Sequence, residues 1–153
     1  MKIYISASII NGPLNSVIAT SLEKAGHTVF LPQLFCPDEL SHENYPVSIY
    51  NMCIDAMNEC DLGIITLDCY GRDSSWECGW FKGREKILLG FATGSLRFLQ
   101  DWMIKGGING IITDNIEIED AVKTDYILTS KPVVYIDDIN LLSEAILHCL
   151  GKK

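Results

Sequence analysis

Short runs of aliphatic and β-branched residues alternate along this chain with segments whose apolar positions recur at helical spacing, and Gly, Pro, Asn or Asp stand at the joins. A period of two marks strands and a period near 3.6 marks helices. The pattern predicts strands at Lys2–Ala7, His27–Leu31, Asp61–Leu67, Lys86–Phe91, Gly110–Thr113 and Pro132–Ile136. Several are apolar at consecutive positions, as a sheet covered on both faces requires. Leu14–Ala25 carries Val17, Ile18 and Leu22 on one stripe and meets a stop signal at Gly26. Ile49, Met52, Cys53, Ala56 and Met57 form a second helical stripe, and Ser74–Arg84 reads as a third helix. In Ile139–Leu150, Leu142, Ala145, Ile146 and Cys149 point inward behind a candidate N-cap, Asp138. The stretch Gly94–Asn109 reads as irregular, a loop able to lie over a site. Alternation of strand and helix implies parallel strands joined by crossover helices. The predicted fold is therefore a doubly wound α/β domain of Rossmann- or flavodoxin-like type, with a five- or six-stranded, mostly parallel sheet. With no internal repeat, low-complexity tract or linker to divide the chain, residues 1–153 read as a single domain.

Composition narrows the function classes. The 153 residues are 48% hydrophobic, enough for an ordinary core. No run of about 18 uncharged apolar residues occurs, and Met1-Lys2-Ile3-Tyr4-Ile5 enters a strand pattern at once. The expectation is a soluble, cytoplasmic protein without a signal peptide. A net charge of −8 argues against a nucleic-acid partner, since such surfaces need clustered Lys and Arg. A membrane partner is not expected either, and a small molecule fits better. The six cysteines Cys36, Cys53, Cys60, Cys69, Cys78 and Cys149 form no C-x-x-C pair, and His27, His42 and His148 show no ligand spacing to them. They read as reduced thiols, mostly buried as small hydrophobes, with no metal and no redox or other cofactor implied.

Candidate chemistry concentrates in Asp73-Ser74-Ser75-Trp76-Glu77-Cys78-Gly79, which follows the apolar run Leu62–Leu67 and opens a helix. Open α/β sheets bind ligands at such strand-to-helix joins, so Glu77 is the leading candidate for catalysis. After the first strand, Ala7-Ser8-Ile9-Ile10-Asn11-Gly12-Pro13 forms a small-residue turn without a dinucleotide fingerprint or a P-loop. Its backbone N–H groups from Ser8 to Gly12 are either an anion or hydroxyl cradle or an ordinary turn. Trp76 and Trp80, four residues apart on one helix face, read as core or self-association packing.

Three stretches together resemble the nucleoside 2-deoxyribosyltransferase family, including related hydrolases of deoxynucleoside 5′-monophosphates. Lys2-Ile3-Tyr4-Ile5-Ser6-Ala7 is similar to the family's first strand with its Tyr. Asn58-Glu59-Cys60-Asp61-Leu62-Gly63-Ile64-Ile65 is similar to its helix-to-strand junction. Ser74-Ser75-Trp76-Glu77-Cys78-Gly79 is similar to its nucleophile segment. The resemblance covers residues 1–92 well and the remainder loosely. It implies cleavage of an N-glycosidic bond, with Glu77 attacking the anomeric carbon and Tyr4 orienting that carboxylate. A carboxylate suits this task because it can stabilise an oxocarbenium-like centre and form a covalent glycosyl-enzyme. Capture of the sugar by another nucleobase gives transfer; capture by water gives hydrolysis.

The chain departs from the family pattern in two places. Cys53 stands eight positions before Asp61, where an acidic residue is usual, and Gly71 stands six before Glu77, where Asp is often found. Asp73, four before Glu77, is the preferred replacement for the acid that protonates or hydrogen-bonds the leaving base; Asp68 comes second, and Asp55 sits one helix step from Cys53. Asp73 also stands where an N-cap would. Ser8, Ile9, Gly12, Asp68 and Ser74 are the expected substrate contacts. The run Tyr4-x-x-Ala7-Ser8-Ile9 resembles the monophosphate hydrolases, yet Ile10 replaces an Arg found in some of them, so the 5′ substituent stays open between hydroxyl and phosphate. Family members often complete the sugar site with a polar residue from a neighbouring subunit. Met103–Gly110 resembles that segment, which points to Asn109, then Asn115, and implies a homo-oligomer with shared active sites. The partners expected are a nucleoside or nucleotide and a nucleobase. Two other readings stay open: a non-catalytic nucleoside or nucleotide sensor, and an interaction module using Trp76, Trp80, Phe81 and Trp102.

Overall fold

The computed structural model describes residues 1–35 and 45–152; Cys36 and His42 lie outside them. Six strands form one all-parallel sheet: β1 (Lys2–Ser6), β2 (Thr28–Phe30), β3 (Leu62–Thr66), β4 (Ile87–Ala92), β5 (Gly110–Thr113) and β6 (Val133–Tyr135). Their spatial order is β2-β1-β3-β4-β5-β6. Among the described residues, five α-helices join them, α1 (Gly12–Lys24), α2 (Tyr45–Glu59), α3 (Arg72–Gly83), α4 (Trp102–Gly107) and α5 (Ile116–Thr124), and a sixth, α6 (Leu142–Cys149), follows β6. All six predicted strands are present, each within one or two residues of its expected limits. The chain steps from β1 outward to β2, then returns past β1 to β3, so strand order reverses between β1 and β3. A crevice opens at such a switch point, beyond the carboxyl ends of the two strands.

Two apolar layers flank the sheet. Ile3 and Ile5 of β1, Leu62 and Ile64 of β3, and Leu89 and Phe91 of β4 pack with Ile18 and Leu22 of α1 and Leu142 and Ile146 of α6. The intervening residues Tyr4, Ile65 and Leu88 face α2 to α5, among Met57, Phe81, Ile104, Ile118 and Val122. Strand side chains alternate between faces, so a polar residue two places from Tyr4 shares its face. That residue is Ser6, fully buried at the end of β1. Helix α3 lies close against β3 because residue 63 is Gly: a Cβ there would stand 2.7 Å from the Phe81 ring.

Several expectations need correction. Val17 is 48% exposed; the inward stripe of α1 runs through Asn15, Ile18, Ala19 and Leu22 instead. Helix α3 starts at Arg72 with Gly71 at its N-cap, so Asp73 is a first-turn residue and not the cap. It still favours the helix, since an acidic side chain there meets the positive end of the dipole. Gly94–Asn109 is not irregular throughout: it holds a 3-10 turn at Arg97–Gln100 and then α4, capped by Asp101, whose carboxylate accepts from the Met103 and Ile104 N–H groups. The predicted Ile139–Leu150 helix opens as a 3-10 turn at Ile139–Leu141, and Asp138 caps that turn. Helix α5 escaped the pattern because it is nine residues long and buries only Ile118 and Val122. Of the five cysteines in the described residues, all free, Cys60 and Cys78 are buried while Cys53, Cys69 and Cys149 are partly exposed. Among the described residues no helix is long and apolar enough to cross a membrane.

Candidate active site

Glu77 projects from the second turn of α3 toward β1. The Tyr4 hydroxyl donates to Glu77 Oε1 at 2.6 Å, and the Ser6 hydroxyl donates to Oε2 at 2.5 Å. Each carboxylate oxygen thus has one neutral donor, and both donors come from one face of one strand. Burial pushes the Glu77 carboxyl above the usual carboxylate range, and Asp73 adds to the push; the Ser6 and Tyr4 hydrogen bonds oppose it. Tyr4, itself buried beside that carboxylate, holds its proton far more tightly than a free phenol.

Cys53 brings a third group to this place. The thiol of α2 lies near the Tyr4 hydroxyl; burial pushes its pKa up, the Tyr4 hydrogen bond opposes this, and the nearby Glu77 and Asp73 carboxylates add to the rise. One turn earlier on α2, the Tyr50 ring stands 6.2 Å from the Trp76 ring. Asp73 is exposed, one helical turn before Glu77 and on the same side of α3. Ser74 is buried at 3% exposure beside it. Tyr4, Cys53, Asp73, Ser74 and Glu77 are therefore gathered at one end of the sheet.

Asp68 occupies the same edge with its carboxylate already engaged. It accepts from the Thr93 N–H and hydroxyl, from Gly94 N–H at 2.5 Å and from Ser95 N–H at 2.8 Å. Four donors leave little capacity for a ligand, so its evident work is to tie the loop after β3 to the loop after β4. Asn115 sits nearby, its side-chain oxygen capping α5 and its amide donating to the Thr93 carbonyl. Asn109 is not brought to this edge within the chain. It precedes β5 at the opposite end of the sheet, where its Oδ1 accepts from Leu88 N–H at 2.9 Å.

The turn after β1 lies on the crevice side. Ser8 caps its 3-10 turn by accepting from Ile10 N–H, and its carbonyl takes the Asn15 amide at 2.9 Å. Ile9 and Ile10 are each 80% exposed, while the Gly12 carbonyl accepts from Ser16 and Gln33. Asn11 Nδ2, Asn15 Oδ1 and Thr66 Oγ1 are buried without a partner among the described residues. Such atoms are rare in folded proteins and need water or a ligand group to satisfy them. Among the described residues no three His, Cys, Asp or Glu side chains are grouped to hold a metal ion.

Sequence reasoning missed Ser6. The signal was available: a second hydroxyl two residues from Tyr4 on an otherwise apolar strand must share its face, and a buried hydroxyl there needs an acceptor.

A groove of about 650 Å³ between α3 and α4 is lined by Ser75, Cys78, Gly79, Trp102 and Met103. At 100° per residue, Ser75 and Gly79 lie on the side of α3 away from Glu77, so this groove is separate from the crevice.

No family model and no curated relative matches the sequence. Solved structures do match in fold. A 2-deoxyribosyltransferase from Bacillus psychrosaccharolyticus aligns over 89% of this chain and 99% of its own, at 20% identity and a TM-score of 0.63. A CMP N-glycosidase from Clostridium botulinum aligns over 85% and 98%, at 16% identity and 0.51. A conserved protein from Enterococcus faecalis V583 aligns over 97% and 98%, at 15% identity and 0.51. The likeness extends over nearly the whole of each of these structures. The chain has the doubly wound α/β fold of these proteins.

Proposed function

We propose that this chain cleaves the N-glycosidic bond of a 2′-deoxyribonucleoside, with Glu77 as nucleophile, and transfers the deoxyribosyl group to another nucleobase. The observation that carries the reading is the Tyr4–Glu77–Ser6 arrangement: a carboxylate at the switch-point crevice, each oxygen held by a buried hydroxyl. The fold shared with a 2-deoxyribosyltransferase supports it. A Glu77 oxygen attacks the anomeric carbon as the bond to the base breaks, and the bonding pair leaves with the base. Asp73, exposed and one turn from Glu77, is the group offered to protonate or hydrogen-bond that base. The incoming base then attacks the same carbon and gives its ring N–H proton to Asp73, deprotonated in the first step, while the ester bond breaks and its electron pair returns to Glu77. No cofactor takes part. Ser8, Ile9, Gly12 and Ser74 are proposed to contact the sugar or its 5′ substituent, with a polar residue added by a second copy of the chain. Asp68 serves these contacts by holding the neighbouring loops.

Hydrolysis of a deoxynucleoside 5′-monophosphate is the second reading. The likeness to a CMP N-glycosidase favours it, as do the unpartnered polar atoms of Asn11 within the Ser8–Gly12 turn and of Asn15 on the helix after it.

Chromatography of reactions with deoxynucleosides and their 5′-monophosphates, with and without a second free base, separates the two. New nucleoside formed only with the acceptor base establishes transfer; free base released from a monophosphate alone establishes hydrolysis. Glu77→Gln is expected to lower either rate by roughly a thousandfold or more while thermal unfolding stays cooperative. A variant that keeps its rate removes Glu77 from the mechanism.

A further inference from the structure

Glu77 carries its charge in a partly buried site where the groups facing it are neutral or negative. Tyr4 and Ser6 approach from β1, the Cys53 thiol from α2, and Asp73 from the preceding turn of α3. Two hydroxyls are therefore what counters desolvation of the carboxylate. A hydrogen bond to an ionised oxygen lowers its nucleophilicity, but it keeps the group ionised and stabilises it as a leaving group. These effects act on different halves of a two-step reaction. In the first step the base departs with the bonding pair and Glu77 forms an ester to the anomeric carbon. In the second, the acceptor attacks that carbon and passes its proton to Asp73, the carbon–oxygen bond breaks, and the pair returns to the carboxylate. Because Tyr4 and Ser6 hold different oxygens, the oxygen that remains outside the ester keeps a donor whichever one attacks.

We infer that Ser6 is a positioning residue for Glu77 whose hydroxyl favours the second half-reaction, return of the carboxylate from the glycosyl ester. This deepens the proposed mechanism and rests on it. Ser6 is suited to the role by geometry: it is fully buried, it ends β1 at the crevice edge, and its single hydroxyl is committed to Glu77 Oε2 at 2.5 Å. A Ser held there only for packing would be replaceable by Ala.

Ser6→Ala, Ser6→Thr and Glu77→Gln are compared with the unaltered protein. The probes are 2′-deoxyadenosine and 2′-deoxycytidine, each as nucleoside and as 5′-monophosphate. Ser6→Ala is expected to lower kcat by roughly ten- to a hundred-fold. The KM of Ser6→Ala should fall with its kcat, and intact-protein mass spectrometry of quenched reactions should show a deoxyribosyl adduct accumulating on it. Ser6→Thr, which keeps the hydroxyl, should restore most of the rate. A substrate-independent measurement accompanies these: NMR titration of the Glu77 side-chain carboxyl, expected to protonate at higher pH in Ser6→Ala. Equal carboxyl titration in the two proteins, or a Ser6→Ala variant that is folded, fully active and free of adduct, overturns the role of Ser6. Undiminished turnover by Glu77→Gln overturns the mechanism beneath it, and the two failures are distinct.

Discussion

Glu77 is a carboxylate in surroundings that resist its charge. Burial raises its proton affinity most, Asp73 raises it further, and the two hydrogen bonds reduce it without cancelling the rise. A nucleophilic carboxylate works ionised, so kcat/KM should fall as pH drops through a value above the ordinary carboxylate range. Asp73→Asn removes one upward push and should move that acid limb to lower pH; Tyr4→Phe removes a donor and should move it to higher pH. Rate profiles of the two variants check the signs, and limbs that shift together or not at all contradict the electrostatic picture. If Asp73 also serves the leaving base, its variant loses kcat across the whole profile. Tyr4 and Glu77 were legible in the sequence because each lies in a short segment with a recognisable neighbour pattern. Ser6 stands in the same segment, where the strand pattern alone accounts for it. Its task appears only when the strand face and the helix are brought together.

At the scale of elements, the loops that follow β3 and β4 form a unit. Asp68 reaches 25 to 27 residues along the chain to bind the backbone of Thr93, Gly94 and Ser95. Hydrogen bonds to a charged acceptor contribute about 1.5–3 kcal/mol each, and leaving several donors without it is costly. Asp68→Ala should therefore lower stability by about 2 kcal/mol in denaturant unfolding, and amide exchange should rise at residues 93–95. Protection unchanged at those amides would contradict a tie between the loops. Contacts of this range follow from strand order and leave no trace in local periodicity, which is why Asp68 read as a free acid beside the nucleophile. The strands themselves were legible because their apolar runs are bounded by Gly, Pro or Asp. Helices α4 and α5 were not: six and nine residues long, they have too few turns to display a stripe. Their caps, Asp101 and Asn115, are visible in the sequence only as loop-type residues.

For the whole molecule, one uncovered apolar patch lies on helices α3 and α4. Trp102 and Met103 are 75% and 83% exposed at the rim of the groove between α3 and α4, and Trp76 is 50% exposed on α3. A protruding ring beside an apolar groove on one face suits a two-fold pairing of identical chains, in which each copy fills the other. Light scattering should report a dimer or larger assembly, and Trp102→Glu combined with Met103→Glu should reduce it to the monomer. If the site draws a residue from the second copy, that double variant loses activity in proportion. A protein monomeric before substitution argues against shared sites.

The sheet ends in its two shortest strands, β2 and β6, three residues each. A strand of that length offers a passing chain very few unpaired amides, and hydrogen-bond gain at an edge scales with the length available. Growth by adding strand to strand is thus poorly rewarded at either margin, although the interior strands are aliphatic and would aggregate readily if uncovered.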